Sequence, residues 1–169
     1  HLRFRGGSNV VQVIRSERTT LSDLMVSQGA IAYLYQNSQQ AVLQRSAAWS
    51  NSQWGVSASV SGLDARNLVL YNNTRGAIDI SQTSLGLVNS ILHAVAPTGV
   101  IYQINQSSLG TLDYNLFWLS TNQPFARCIE FGFVVNSLSE WQNFSKVDYR
   151  SVRIEPGFKD ASAGDFTLL

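Results

Sequence analysis

Gly29-Ala-Ile-Ala-Tyr-Leu, Gly55-Val-Ser-Ala-Ser-Val, Gly76-Ala-Ile-Asp-Ile and Gly99-Val-Ile-Tyr-Gln-Ile share one form, a glycine followed by short apolar/polar alternation. Gly7-Ser-Asn-Val-Val-Gln-Val-Ile is a fifth copy one unit earlier, so the glycines recur with a loose period of roughly 22 residues. A second strand-like segment follows each copy: Leu21-Ser-Asp-Leu-Met-Val, Leu43-Gln-Arg-Ser-Ala-Ala-Trp, Arg66-Asn-Leu-Val-Leu-Tyr, Leu87-Val-Asn-Ser-Ile-Leu-His and Leu112-Asp-Tyr-Asn-Leu-Phe-Trp. Small polar clusters end several of them: Ser50-Asn51-Ser52, Asn72-Asn73-Thr74 and Ser120-Thr121-Asn122. Each unit therefore reads as two or three short strands joined by polar corners.

Between Gly7 and Trp118 no stretch sustains three turns of helical periodicity, and Val, Ile, Thr and aromatic residues dominate the apolar set. Propeller blades need ~40 residues and leucine-rich repeats need a fixed Leu/Asn frame, so neither fits this period. The expectation is an all-β fold, a right-handed parallel β-helix of about five coils over residues 1–120. Residues 121–169 would supply a C-terminal strand, a short helix and an irregular capping tail of the same domain. Inward residues of such a solenoid are buried only by the coils above and below, ~4.8 Å away. Leu24, Leu68, Ile91 and Leu116 are the expected apolar column, and Asn67, Asn89 and Asn115 the candidates for an amide ladder. Past Trp118 the period lapses. Thr121-Asn-Gln-Pro-Phe-Ala reads as a turn, Ile129-Glu-Phe-Gly-Phe-Val-Val as a strand, and Ser137-Leu-Ser-Glu-Trp-Gln-Asn-Phe as a short helix capped by Ser137 or Ser139.

Composition narrows the function classes. The 169 residues suffice for one domain, and a formal net charge of +1 argues against a nucleic-acid protein with a basic stripe. Charged residues are 14% of the chain, and Ser, Asn, Gln and Thr provide a neutral surface suited to hydrogen bonding. The single cysteine, Cys128, permits neither an internal disulfide nor a zinc cluster. There is no apolar run long enough for a membrane span, and no basic-then-apolar leader. A start at His1 suggests a processed product or a piece of a longer parent.

The tail carries Leu138-x-Glu140-Trp141-Gln142, Asp148-x-x-Ser151, Glu155-Pro156-x-Phe158-x-Asp160 and Gly164-Asp165-Phe166-x-Leu168. In this order the motifs resemble the C-terminal portion of bacterial right-handed parallel β-helix proteins, the pectate-lyase-like superfamily of secreted polysaccharide lyases, glycoside hydrolases and uncharacterised relatives. Glu155 departs from the Asp usual there. The resemblance is specific for the fold rather than the activity. It implies that Trp141 and Phe158 plug the end or flank of the solenoid and that Asp148 with Ser151 caps a turn.

Stacking would set acids one coil apart at ~5 Å and two coils apart at ~9.6 Å, near the retaining and inverting separations of glycosidases. Asp23, Asp64, Asp79 and Asp113 are the acids in strand-like context. Asp79, between Ile78 and Ile80, and Asp113, after Leu112, are the candidate catalytic acids, although aligned coils place no two of the four acids in one column at neighbouring positions, and solvated surface charge is the alternative. Arg45 and Arg66 hold near-equivalent places in successive coils and could bind an acidic sugar. Trp49, Tyr71, His93 and Trp118 end equivalent strands: exposed, they form a sugar-stacking ladder, and buried, an aromatic core stack. No cofactor is expected; Ca2+ would need a ligand cluster that the acids do not form. Asn72, Asn105 and Asn143 begin glycosylation sequons, expected by chance in so Asn- and Ser-rich a chain.

These readings point to a secreted or cell-surface domain that binds or processes a polysaccharide. The alternative is a non-catalytic solenoid used for structure or attachment, as in an adhesin, a phage fibre or an accessory subunit, with a protein partner at an open coil end.

Overall fold

A computed structural model describes residues 2–94, 96–119 and 123–169. The polar cluster expected at 120–122, the start of the turn expected at 121–126 and the boundary between coils and tail lie outside the described residues. Almost every strand pairs in parallel with its equivalent one repeat away, giving a β-solenoid of about six turns. The first sheet opens each turn: Asn9–Ile14, Ile31–Gln36, Trp54–Ser59, Gly76–Ser81, Val100–Asn105 and Ala126–Cys128. The second sheet holds Thr19–Ser22, Ala41–Gln44, Gly62–Arg66, Ser84–Val88 and Ser108–Asp113. The third holds Leu2–Arg5, Leu24–Ser27, Ala47–Trp49, Val69–Tyr71, Ile91–Ala94, Leu116–Leu119 and Val152–Arg153.

Three corners close each turn by one device. A residue in the left-handed region turns the chain, and the next residue is stacked on its equivalents. Between the first and second sheets the left-handed residues are Arg15, Asn37, Val60, Gln82 and Gln106, followed by Ser16, Ser38, Ser61, Thr83 and Ser107. Between the second and third sheets they are Asp23, Arg45, Asn67, Asn89 and Tyr114; at the last corner Gln28, Ser50 and Asn72. Where the residue that follows is Ser or Asn, its buried side chain in most cases accepts the amide of its equivalent one turn earlier. Ser46 Oγ takes Leu24 N at 3.2 Å, Ser90 Oγ takes Leu68 N at 3.1 Å and Asn51 Oδ1 takes Gly29 N at 2.9 Å. Asn73 does most: its Oδ1 accepts Asn51 N and Asn51 Nδ2, and its Nδ2 donates to Ala48 O. A left-handed L-residue costs about 1–2 kcal/mol, which these bonds and strand stacking offset.

Inward files are apolar and complementary in size. Val11, Tyr33, Val56, Ile78, Tyr102 and Ala126 align in the first sheet; Leu21, Leu43, Ala65, Leu87 and Leu112 in the second; Val26, Ala48, Leu70, Leu92 and Phe117 in the third. The column expected from sequence is therefore corrected. Leu24 and Leu68 are buried in the file that follows a corner, but Ile91 and Leu116 stand one residue further on and only partly buried. A slip of one residue changes the face of a strand. The amide ladder is corrected likewise: Asn67 and Asn89 are left-handed corner residues, whereas Asn115 is buried in the next file with its Oδ1 on Ser90 N at 3.0 Å.

The tail adds a turn rather than only a cap, so the solenoid exceeds the five coils expected. Ala126–Cys128 extends the first sheet and Val152–Arg153 the third. The strand expected over 129–135 is instead a turn with Gly132 at φ 65°, leading to Phe133–Val135 antiparallel to Ala126–Cys128. The helix Leu138–Ser145 stands between these strands. Ser137 is its N-cap, accepting Glu140 N at 3.1 Å, while Glu140 Oε2 takes Asn136 N at 2.7 Å. Trp141 closes the core: it is fully buried, stacked on Tyr102 with ring centroids 4.9 Å apart, and donates Nε1–H to Asp148 at 2.9 Å. Asn115 and Ser151 also donate to Asp148, whose carboxyl burial pushes up and these bonds pull back only in part.

Two substitutions test the corners from opposite sides. Asn73→Ala strips a buried carbonyl and two buried donors of their partner and is expected to cost about 2–4 kcal/mol in urea unfolding. Val60→Asn replaces a half-exposed β-branched residue at φ 49° by one that tolerates this region, for an expected gain of about 1 kcal/mol. Equal midpoints for both variants and the parent would contradict the corner account.

Candidate functional site

The charged residues singled out from sequence fall into two groups. Arg45, Arg66 and Asp113 line the ridge between the second and third sheets, and each is neutralised there. Arg45 Nη2 lies 2.6 Å from Asp23, Arg66 pairs with Asp64, and Arg150 Nε donates to Asp113 at 2.6 Å. Burial pushes the Asp113 carboxyl up, but bonds from Arg150 N, its guanidinium and Tyr114 N more than offset this and leave it below the ordinary value. Asp79 lies apart from them on the outer face of the first sheet, hydrogen-bonded by Ser57 Oγ at 3.2 Å and Gln103 Nε2 at 2.9 Å. Asp79 and Asp113 thus stand on different sheets and do not form a carboxylate pair.

Trp49, Tyr71, His93 and Trp118 do form one file, in register along the outer side of the third sheet. The Tyr71 and His93 faces turn along the solenoid axis. Tyr71 stacks on His93 at 4.3 Å and 24°, and the Arg3 guanidinium lies over the Trp49 ring at 5.8 Å. The tail covers the file from outside: Phe166 meets Trp49 at 5.5 Å and Phe158 meets Tyr71 at 5.8 Å, both edge-to-face. The file is therefore neither an open ladder nor a core stack, and Trp49, Tyr71 and His93 offer no free ring face for a pyranose. His93 is buried, its Nδ1 has no partner among the described residues, and burial pushes its pKa down to about 4.

A groove that the sequence did not announce runs along the edge of the second sheet. Three shallow depressions of about 380, 370 and 380 Å³ adjoin one another and share wall residues. Gln39 and Gln40 belong to the first two, and Gln40 and Gly62 to the second and third. The groove crosses from Arg15 and Arg18 in the first turn to Gln82 and Gly86 in the fourth, ~14 Å along the axis. Amides and hydroxyls line its first two depressions beside Arg15, Glu17 and Arg18, whereas Ala41, Val42, Leu63 and the two glycines make the Gly86 end mainly apolar, with Asp64 its one acid there. Gly62 and Gly86 keep it shallow: a Cβ at either would meet only ordinary contacts, 3.5 Å from Gln40 N or 3.6 Å from Asp64 Oδ1. Glutamine and glycine at corners carry no chemical motif, so only the two-residue alternation that turns Asp64 and Gly86 outward together could have pointed here.

No group of three metal-ligating side chains occurs among the described residues, and no helix among them is long and apolar enough to cross a membrane. The architecture defines the chain as a parallel β-solenoid. Comparison with protein families, with curated proteins and with solved structures returned no match.

His93 supplies a pH test. An unfolded histidine binds its proton near pH 6.5, whereas the folded one resists protonation down to about pH 4. Its contribution is therefore present above pH 6.5 and lost as pH falls toward 4, on the order of 3 kcal/mol in all. His93→Phe keeps a flat ring and should flatten this part of the stability profile; an unchanged slope would show that His93 does not titrate as described.

Proposed function

We propose that this chain is a glycan-binding β-solenoid domain whose ligand lies along the Gln39–Gln40–Gly62–Gly86 groove. The succession of three adjoining depressions across four turns, polar at the Gln39–Gln40 end, carries the reading. Sugar hydroxyls pair with side-chain amides and hydroxyls without the desolvation cost of burying a charge. The shallow glycine floor admits a chain lying lengthwise rather than a small molecule enclosed on all sides. Binding is favoured over cleavage because Asp79 and Asp113 lie on separate sheets and Asp113 is engaged by Arg150. A place outside the cell or on its surface follows from that ligand. The second reading, a structural or attachment element, draws on the exposed cluster of Phe131, Phe133 and Phe144 at the capped end.

A glycan array followed by calorimetry on the best hit tests this. Gly86→Tyr fills the trough at a position where a side chain is sterically tolerated, and Gln40→Ala removes its shared wall. Each should weaken binding at least about tenfold with the β-sheet circular dichroism unchanged. No bound glycan, or binding indifferent to both substitutions, would favour the attachment reading.

A further inference from the structure

The two ends of the solenoid differ. Trp141 and its helix close the core at one end. At the other, Leu2–Arg5, Asn9–Ile14 and Thr19–Ser22 each stand last in their sheets, with no strand beyond them among the described residues. The inward files reach that end uncovered: Phe4, in register with the buried Val26, is 38% exposed, and Leu2, in register with the buried Leu24, is 64% exposed. The corner acceptor is unused there as well. Ser38 Oγ and Ser61 Oγ each take an amide from the turn before, at 3.4 and 3.2 Å, whereas Ser16 Oγ turns to Arg18 O of its own corner at 3.3 Å. A stack of repeats ordinarily finishes on a unit whose outer face is polar. Here the outermost turn is built like an interior one.

The free backbone forms its longest run along Asn9–Ile14. Arg15 N bonds Gln36 O in the next turn at 2.9 Å. Successive residues of a strand direct their N–H and C=O groups to opposite sides, so those of Gln12 and Ile14 face away from the sheet. Such a row is a template for one more strand.

Charge determines what fits there. Residues 2–22 hold Arg3, Arg5, Arg15 and Arg18 against one acid, Glu17, in a chain whose formal net charge is +1. Arg45, Arg66 and Arg150 are neutralised by acids of the solenoid, but none of these four has an ion pair among the described residues. Arg5 Nε and Arg18 Nε donate instead to neutral amides, Gln28 Oε1 at 2.6 Å and Gln40 Oε1 at 3.0 Å. Arg5 and Arg15 bracket the Asn9–Ile14 edge in sequence. One corner further on, Asp23 and Arg45 show the complement: equivalent residues one turn apart, joined as an ion pair. A second copy placed end to end would set arginine against arginine.

We propose that the Asn9–Ile14 edge receives an extended acidic strand of a partner protein as the next strand of the first sheet. The main chain of that strand pairs with Gln12 and Ile14, its alternate apolar side chains lie under Val11 and Val13, and its carboxylates meet Arg5 and Arg15. The claim does not rest on the groove or on any glycan. Arg15 borders the groove but Gln12 does not, which keeps the two separable.

Fluorescence anisotropy with a labelled Glu-Val-Glu-Val-Glu-Val-Glu-Val peptide tests the edge, with the Lys-for-Glu peptide as its counterpart. The acidic peptide should bind saturably and the basic one at least about tenfold more weakly. Gln12→Pro removes an outward N–H, a change that an edge strand tolerates. Arg5→Gln with Arg15→Gln removes the flanking charge, and glutamine already holds the Arg15 corner position in later turns, at Gln82 and Gln106. Each variant should lose at least about tenfold in affinity for the acidic peptide with its β-sheet circular dichroism unchanged. If Gln12→Pro loses that signal, the arginine variant and the basic peptide decide. Absence of saturable binding, equal binding of both peptides, or binding that withstands either change in a folded variant would overturn the proposal. So would light scattering that finds the parent dimeric and Gln12→Pro monomeric, since the occupant of the edge is then a second copy.

Discussion

The structure depends on a hydrogen bond between turns: an amide just past most left-handed corners, accepted by a buried hydroxyl or carboxamide on the next turn. A parallel sheet alone fixes spacing but leaves register weakly determined where side chains are small. Corner acceptors remove that freedom, because Ser46 or Asn73 in the wrong register would leave both itself and a neighbour unpaired in the interior. Register in turn aligns the outward files, and these make the surface features. The aromatic file under the tail, the Asp/Arg ridge and the glycine-floored groove are all consequences of it.

Much of the architecture was legible in the sequence because strand alternation and a repeat near 22 residues survive variation in individual side chains. The face of each strand was less so. The leading glycines suggested a frame, yet Gly76 pairs with Trp54 and Val100 rather than with another glycine. The residues that do recur are a Ser, Thr or Asn after a left-handed position, and backbone handedness leaves little trace when Arg, Val, Gln and Tyr all occupy it. Ile91 and Leu116 were placed inward for that reason. The sixth turn was hidden because a helix interrupts it and only short pieces, Ala126–Cys128 and Val152–Arg153, return to the sheets.

The candidate site was legible only in parts. Trp49, Tyr71, His93 and Trp118 were rightly placed in one file, since equal position within a repeat determines equal position on the surface. Nothing local to them announced that Phe158, 87 residues beyond Tyr71, and Phe166, 117 residues beyond Trp49, would lie across their edges. Partners of the acids were equally distant: Arg150 reaches Asp113 from the tail. The groove went unseen because its lining is ordinary, and its shape arises from which residues are small rather than from which are reactive.

Native-state hydrogen exchange resolved to single amides tests the corner bond most directly. The account predicts that Leu24, Gly29, Asn51, Leu68 and Ser90 exchange as slowly as the strand amides of Leu70 and Ile78, although each of the five directly follows a corner residue. Exchange of those five at the rate of exposed loops would contradict it, since turns could then be stacked without the bonds held to align them.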